Sequence, residues 1–328
     1  MKAEVLLRRF DAASAADYAA LAGLRRTVIP EYARSEEELR DTDRRCSEMT
    51  EPWMRWFASD EGGDVIGMAE FTPSRWQPGP GKYFLALQVH PDHQGTGIGK
   101  ALYNTLWAEL EKHNPTCVKS EWREDMARAM RFLTERGFGE VARYYESRLD
   151  IKGFDLSPFA EDYYKPLSHG IVFRTWRELK ASDSNADHKM WRACVEISHD
   201  VPSDVPFVEL PFDRFQALVM TRPNLDPDGY FVAVDETTGE YAGISHIWRR
   251  QADNDLDTGL TGVKRSYRRR GIALALKLRI VRWAKENGFD SIRTENDVTN
   301  RPMLSINERL GFYKLPPWLE LVWRPEPG

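Results

Sequence analysis

The chain has 328 residues, and at roughly 100–200 residues per domain that length favours two domains. Hydrophobic residues make up 41% and charged residues 30%, the balance of a soluble globular protein able to bury a core. A net charge of −5 gives a nucleic-acid partner no support, and no run reaches the ~18 apolar residues of a membrane span. The apolar run near Met1 is too short for a secretory signal, and Cys46, Cys117 and Cys194 are scattered and odd in number. The expected setting is therefore a reducing cytoplasm, with no disulfide framework.

In chain order, a short apolar strand at Val5–Leu7 precedes a polar helical stretch. Its start reads Ser14-x-x-Asp17, a capping hydroxyl followed by a negative charge in the first turn. A strand at Val65–Phe71 and another ending at Val89 lead into the run Gln94-Gly95-Thr96-Gly97-Ile98-Gly99. Ile98, Leu102, Leu106 and Leu110 recur every four residues and predict a helix, which Asn114-Pro115 stops. A strand at Cys117–Glu121, a helix ending at Gly137 and a strand-like segment Arg143–Ile151 complete the set. From Ile151 to Gly170 there are Gly153, Pro158 and Pro166 but no helical periodicity, so the boundary is placed there, giving domains 1–155 and 156–328. The second set follows the same order. A strand at Ile171–Phe173 and a helical region come first, then strands Phe231–Val234 and Gly243–Trp248 around the turn Asp235–Gly239. A strand ending at Val263, a helix through Ile272, Leu276, Ile280 and Trp283, a strand Ser291–Glu295, a helix ending at Gly311 and a strand Leu319–Trp323 close it.

This shared order is a repeat. Val89–Gly99 aligns with Val263–Ala273, Glu121 with Glu295, and Gly137-Phe138 with Gly311-Phe312, each pair 174 residues apart. Upstream, Val65-Ile66-Gly67 faces Tyr241-Ala242-Gly243 at 176. Duplication explains the match. The mixed order of strands and helices predicts an α/β (α+β) fold in each half, a mixed central sheet flanked by helices.

A glycine-rich turn that follows a strand and opens a helix presents backbone N–H groups with no intrahelical acceptor at the positive end of a helix dipole, which suits a phosphate. Glycine keeps side chains from fending off the anion. A Walker A loop would need Ser or Thr after Gly99-Lys100, where Ala101 stands, and a dinucleotide fold wants this turn near the start of its unit.

After a strand-terminal valine, Gln94 or Arg268 followed by x-x-Gly-x-Gly/Ala resembles motif A of the GNAT acetyltransferases. Asn300-x-x-Met303-x-x-x-Asn307-x-x-Leu310-Gly311-Phe312 is similar to motif B of the same superfamily. The resemblance implies two tandem GNAT-type N-acyltransferase domains that use acetyl-CoA as cosubstrate, without a metal. It implies that Gln94, Gly95, Thr96, Gly97, Ile98, Gly99 and Lys100 hold the pyrophosphate in the first copy, and Arg268, Arg269, Arg270, Gly271, Ile272 and Ala273 in the second. Pantetheine would then run along Leu87–Val89 or Thr261–Val263, and Asn300 would touch the cofactor where the first copy has Met126. The implied activity is acetyl transfer to a primary amine of a small molecule or peptide, with the C-terminal copy catalytic. A thiol-precursor amine is among the acceptors, since the tandem organisation resembles that of mycothiol synthase.

The tyrosine that family members carry seven residues after the asparagine is Asn307 here and Leu133 in the first copy, so that general acid is missing from both. Amine acylation still needs a base. Glu295 at a strand end and Asp257 on the strand leading to Val263 are the candidates; the alternative for each is an ordinary strand-end or loop charge. A non-catalytic CoA-binding sensor is the alternative function. The cluster Lys264, Arg265, Arg268, Arg269 and Arg270 is assigned to phosphates rather than nucleic acid, and His90–His93 lacks partners for zinc. Trp53 and Trp56, at helical spacing, and Trp191 are core residues or line an acceptor pocket.

Overall fold

A computed structural model of the chain describes residues 6–74, 79–202, 207–250 and 253–325; Val5, at the start of the first expected strand, lies outside them. The chain forms two compact units, Met1–Val141 with Trp318–Gly328, and Ala142–Pro317. The contiguous division at 155/156 follows the duplication; packing follows another division, because the last strand of each repeat stands in the sheet of the other unit.

In the first unit the strands are β1 (Leu6–Arg9), β2 (Met54–Ser59), β3 (Val65–Pro73), β4 (Lys82–Val89) and β5 (Cys117–Arg123). They lie in that order, and the C-terminal strand Trp318–Trp323 pairs antiparallel with β5. Helices α1 (Ala15–Val28) and α2 (Glu36–Ser47) cover one face, where Tyr18, Leu21, Leu24 and Leu39 pack on Phe57 and Met68. Helices α3 (Ile98–Leu110) and α4 (Ala127–Thr134) cover the other through Ile98, Leu102, Leu106, Leu110 and Leu133. The Ser14 hydroxyl caps α1 by accepting from the Asp17 N–H at 3.1 Å, as its spacing predicts. Trp53 and Trp56 are not helical: Trp56 sits on β2 with its ring in the core, and Trp53 immediately precedes that strand. Their spacing of three also fits a loop-to-strand junction.

The second unit contains β6 (Gly139–Asp150), α5 (Ala160–Tyr164), β7 (Ile171–Thr175), α6 (Trp176–Ser182), α7 (Ala186–Ser198), α8 (Phe212–Phe215), β8 (Leu225–Asp235), β9 (Tyr241–Arg249), β10 (Asp255–Val263), α9 (Ile272–Glu286), β11 (Ser291–Asp297), α10 (Arg301–Arg309) and β12 (Tyr313–Lys314); the C-terminal strand of the first unit is β13 (Trp318–Trp323). Its sheet runs β6-β11-β10-β9-β8-β7, with β12 on β6. The stretch 151–170, where the sequence reading places the domain boundary for want of helical periodicity, contains α5 and flanking 3-10 turns. Phe154, Leu156, Phe159 and Tyr163 pack into the core beneath α9, and Lys285 donates to the Phe154 carbonyl at 2.6 Å. A helix of five residues is too short to register as a period. Among the described residues no helix is long and apolar enough to cross a membrane, and Cys46, Cys117 and Cys194 are buried.

Candidate functional site

Both glycine-rich turns adopt one backbone geometry. Gly95 (φ 82°) and Gly97 (φ 99°) in the first unit, and Arg269 (φ 65°) and Gly271 (φ 78°) in the second, are left-handed at matching positions. The left-handed region costs a non-glycine residue roughly 1–2 kcal/mol, so Arg269 holds strain that the loop's shape imposes. The first intrahelical bonds are Ala101 N–H to Gly97 O and Ala275 N–H to Gly271 O. The amides of Ile98, Gly99 and Lys100, and of Ile272, Ala273 and Leu274, are thus left without an intrahelical acceptor. Ile98 and Ile272 are buried and pin each helix start to its sheet. A Cβ on Gly99 would meet Leu87, Val89 and Phe132 only at ordinary contact distances of 3.6–4.0 Å, which is why Ala273 is tolerated at the matching position.

The first residue of each turn serves the loop itself. Gln94 donates its side-chain amide to the Val89 carbonyl at 3.1 Å, and Arg268 donates its Nε to the Val263 carbonyl at 3.1 Å. Arg265 and Arg268 also pair with Asp200, which they hold down to about 2, Arg265 first. Lys264 is buried between Glu196 (3.0 Å) and Glu240 (2.7 Å). Three of the five cations in the basic cluster are therefore matched by carboxylates in close ion pairs, whereas Arg270 acts on a carboxylate, Asp235, only through its field and Arg269 is in no ion pair among the described residues. Thr96 donates to the His93 carbonyl at 2.7 Å and Arg270 to the Ser266 carbonyl at 3.1 Å. Two cations that the sequence reading missed flank the turns. The Arg128 guanidinium would stand 3.0 Å from a Cβ on Gly95, and the Lys165 stem 3.5 Å from one on Gly271.

Beside each turn two parallel strands part. β4 and β5 are in register only through Lys82–Phe84, and β10 and β11 only through Asp255–Asp257. Leu87 and Val89, like Thr261 and Val263, lie on the diverging segments, so their backbone has no partner on the neighbouring parallel strand. Thr261 shares a hydroxyl hydrogen bond of 2.6 Å with Ser245. Asp257 occupies the last rung before the gap, opposite Arg293, and Glu295 stands two residues beyond Arg293 on the same face. Burial raises the Asp257 carboxyl above its ordinary value; Arg250, at 3.3 Å, and Arg293 oppose the shift. Asn300 caps α10, accepting from the Met303 N–H at 3.4 Å, where Met126 offers α4 no cap. Asn307, in the tyrosine position, is buried and donates to the Asn296 side chain at 2.7 Å.

The strand exchange adds a buried acid to each gap. Glu320 on β13 faces Glu121, and Glu146 on β6 faces Glu295. Lys119 pairs with Glu320 at 2.5 Å, and Arg293 lies 3.6 Å from Glu146 and 2.8 Å from Asp255. Glu146 and Glu320 are 174 residues apart, as are Lys119 and Arg293, so extending the repeat offset would have found both pairs. Glu121 is exposed yet walled in, and that burial pushes its carboxyl up to about 7; Glu320 adds to the shift and Lys119 opposes it. A carboxylate whose folded pKa is raised destabilises the fold as pH climbs from its ordinary 4.5 through about 7, because the folded form must give up its proton at a cost the unfolded chain does not bear. Glu121→Gln is therefore expected to raise the melting temperature of the first unit at pH 8 and leave it unchanged at pH 4. Equal shifts at both values would assign the effect to packing.

A family model described as "Acetyltransferase (GNAT) family" matches residues 21–138 and again 191–312. The chain is 24% identical over 270 residues to a mycothiol acetyltransferase of Thermobifida fusca, covering 77% of each, and 25% identical over 256 residues to one of Streptomyces coelicolor, covering 77% of this chain and 74% of that one. Among solved structures it is similar to a tandem GNAT protein from the clavulanic acid biosynthesis pathway (TM-score 0.72, 18% identity, 99% and 100% coverage). It also resembles a GCN5-related N-acetyltransferase from Sphaerobacter thermophilus (0.71, 18%, 99% and 96%). With two family matches over most of its length and two parted-strand units, the chain belongs to the GNAT acetyltransferases, as a tandem N-acetyltransferase.

Proposed function

We propose that the chain transfers an acetyl group from acetyl-CoA to a primary amine of a small molecule or peptide, and that the C-terminal unit performs the transfer. The observation that carries the choice of unit is the asymmetry of the two gaps. From the rung before the gap, β4 reaches its last valine in five residues (Phe84 to Val89) and stays in unbroken register with β3. β10 takes six (Asp257 to Val263) and bulges between Thr258 and Thr261. The extra residue takes Gly259 and Leu260 out of the ladder and leaves their backbone polar groups for a ligand.

The residues present fit a CoA thioester. The Arg269–Gly271 turn and the first amides of α9 would hold its diphosphate, with Arg269, Arg270 and Lys165 around them, and the parted β10 would hold its amide-bearing arm. When bound, the thioester supplies an activated acetyl group with a thiolate leaving group. Glu295, beyond the apex of the gap, would take the proton from the attacking ammonium, and Asp257, tied to Arg250, would hold the acceptor's charge. The name shared by the curated relatives makes a thiol-precursor amine the first acceptor to test.

Glu295→Gln is expected to lower kcat by about 10²–10⁴-fold, the usual contribution of a general base, while KM for acetyl-CoA stays within about twofold. Thiol release from acetyl-CoA with a panel of amines reads both constants. A second reading rests on Glu121, whose carboxyl at about 7 suits a base: if Glu121→Gln abolishes turnover and Glu295→Gln does not, the N-terminal unit is the catalyst.

A further inference from the structure

On β9 a single residue, His246, stands opposite the two bulged residues of β10: Ser245 pairs with Thr261 and Ile247 with Thr258, leaving His246 against Gly259 and Leu260. Trp248 shares a rung with Asp257, so His246, two residues back, lies on the same face as Asp257, Arg293 and Glu295. Its ring is 4% exposed, stacked on Tyr230 at 4.5 Å and edge-on to Trp248 at 4.8 Å. A Cβ on Gly259 would overlap that ring. The φ of Gly259 is not in the left-handed region, so space and not backbone conformation demands the glycine.

The first unit supplies an internal control. There Glu70 pairs with Ala86 one residue for one, in unbroken register. Glu70 is the counterpart of His246, at the same 176-residue spacing that relates Gly67 to Gly243. Its carboxylate is turned away to Arg55 and Arg25 at 2.6 Å each, so nothing intrudes on β4. Ring and bulge occur together in one unit and are absent together from the other.

We propose that His246 is a positioning residue for acetyl transfer: its clamped ring is a wedge that keeps the extra residue of β10 out of the ladder, holding the Gly259–Leu260 backbone ready for the amide-bearing arm of the acyl carrier. The choice of ligand rests on the function proposed above; the wedge does not. The ring is held in place by Tyr230 and Trp248, and burial first and then Arg222 keep it uncharged, with a pKa near 3. Its Nδ1 is buried and has no hydrogen-bond partner among the described residues. An unpaired buried nitrogen costs about 1–3 kcal/mol, so stacking alone would be better served by phenylalanine.

The test uses the full chain with His246→Ala (no wedge), His246→Phe (wedge without nitrogens), Gly259→Ala and the double variant, each titrated calorimetrically with acetyl-CoA. His246→Ala is expected to weaken one of two binding events by about tenfold or more (1.4 kcal/mol per tenfold), leaving the other as an internal report that the chain is folded. His246→Phe should bind within about threefold of the wild type. Gly259→Ala should also lose that event, and Gly259→Ala/His246→Ala should be no worse than His246→Ala, because the overlap is gone. Amide hydrogen exchange reads the wedge with no ligand: His246→Ala should slow exchange at whichever of Gly259 and Leu260 takes up pairing with β9 while the other stays bulged, and His246→Phe should not. Wild-type binding by His246→Ala with unchanged exchange overturns the proposal, as does a His246→Phe variant indistinguishable from His246→Ala in both readouts. If the wild type gives no heat with acetyl-CoA, the proposed function fails and exchange alone decides the wedge.

Discussion

Replacing Gly271 by Trp is expected to reduce turnover of acetyl-CoA by at least about a hundredfold, whereas Gly97→Trp leaves it within about threefold. Two terms combine. Gly271 has φ 78°, where a side chain costs roughly 1–2 kcal/mol. An indole there also projects over the first amides of α9 and displaces the Lys165 stem, which lies 3.5 Å from the position of a Cβ. Losing anion contacts at a helix start adds roughly 1–2 kcal/mol more, and ~3 kcal/mol in total is a little over a hundredfold. Gly97, at φ 99°, carries the same backbone strain, so both variants should lose thermal stability to a similar degree. Only turnover should separate them. Steady-state thiol release with each variant checks this, and the reverse ranking would place catalysis in the N-terminal unit.

The largest stability effect is expected at Arg55. This side chain, only 2% exposed, donates to both oxygens of Asp43 at 2.9 Å and to Glu70 at 2.6 Å. Arg25 takes the other Glu70 oxygen at 2.6 Å, and the Tyr18 hydroxyl donates to Asp43 at 2.9 Å. Arg55→Ala leaves Glu70 with Arg25 alone and Asp43 with the Tyr18 hydroxyl but no cation at 2.9 Å, and should cost about 3–5 kcal/mol, the range for breaking a buried pair by removing one partner. Burial pushes Glu70 upward, but Arg55 and then Arg25 overcome it and hold the carboxyl down to about 2. A depressed carboxyl contributes stability that is present above its ordinary 4.5 and is lost as pH falls through about 2. The deficit of Arg55→Ala in urea unfolding should therefore be full at pH 7 and shrink between pH 4.5 and pH 2. A deficit below about 1 kcal/mol at pH 7 would show that Asp43 and Glu70 find other partners. In the second unit the position of Glu70 belongs to His246, and the network's place is taken by the aromatic stack on Tyr230. Turnover by Arg55→Ala below its melting temperature should accordingly match the wild type.

Much of this molecule is legible without coordinates because it is local. The cap at Ser14, the four-residue spacing from Ile98 to Leu110, and Gly137 and Gly311 at the ends of their helices each act within a few residues of chain. The repeat makes each signal count twice. The turns at Gly95–Gly97 and Arg269–Gly271 were found in the same way, although Arg269 in a left-handed conformation was hidden. Arginine gives no local signal for it, and the shape is imposed by the strand and helix on either side. Trp53 and Trp56 were misjudged because a spacing of three is compatible with either state, and α5 because five residues do not make a period.

By itself the sequence determined the duplication, the order of elements and the helix starts able to bind an anion, since these depend on residue type and on neighbours along the chain. Tertiary structure alone decided three other matters. The strands bearing Glu146 and Glu320 each complete the other unit's sheet, Asp200, Glu196 and Glu240 answer most of the basic cluster, and a histidine ring displaces one residue of β10. Each depends on which side chains meet across strands far apart in sequence, and hydrogen-bond register, charge pairing and available volume are settled only when those strands are side by side.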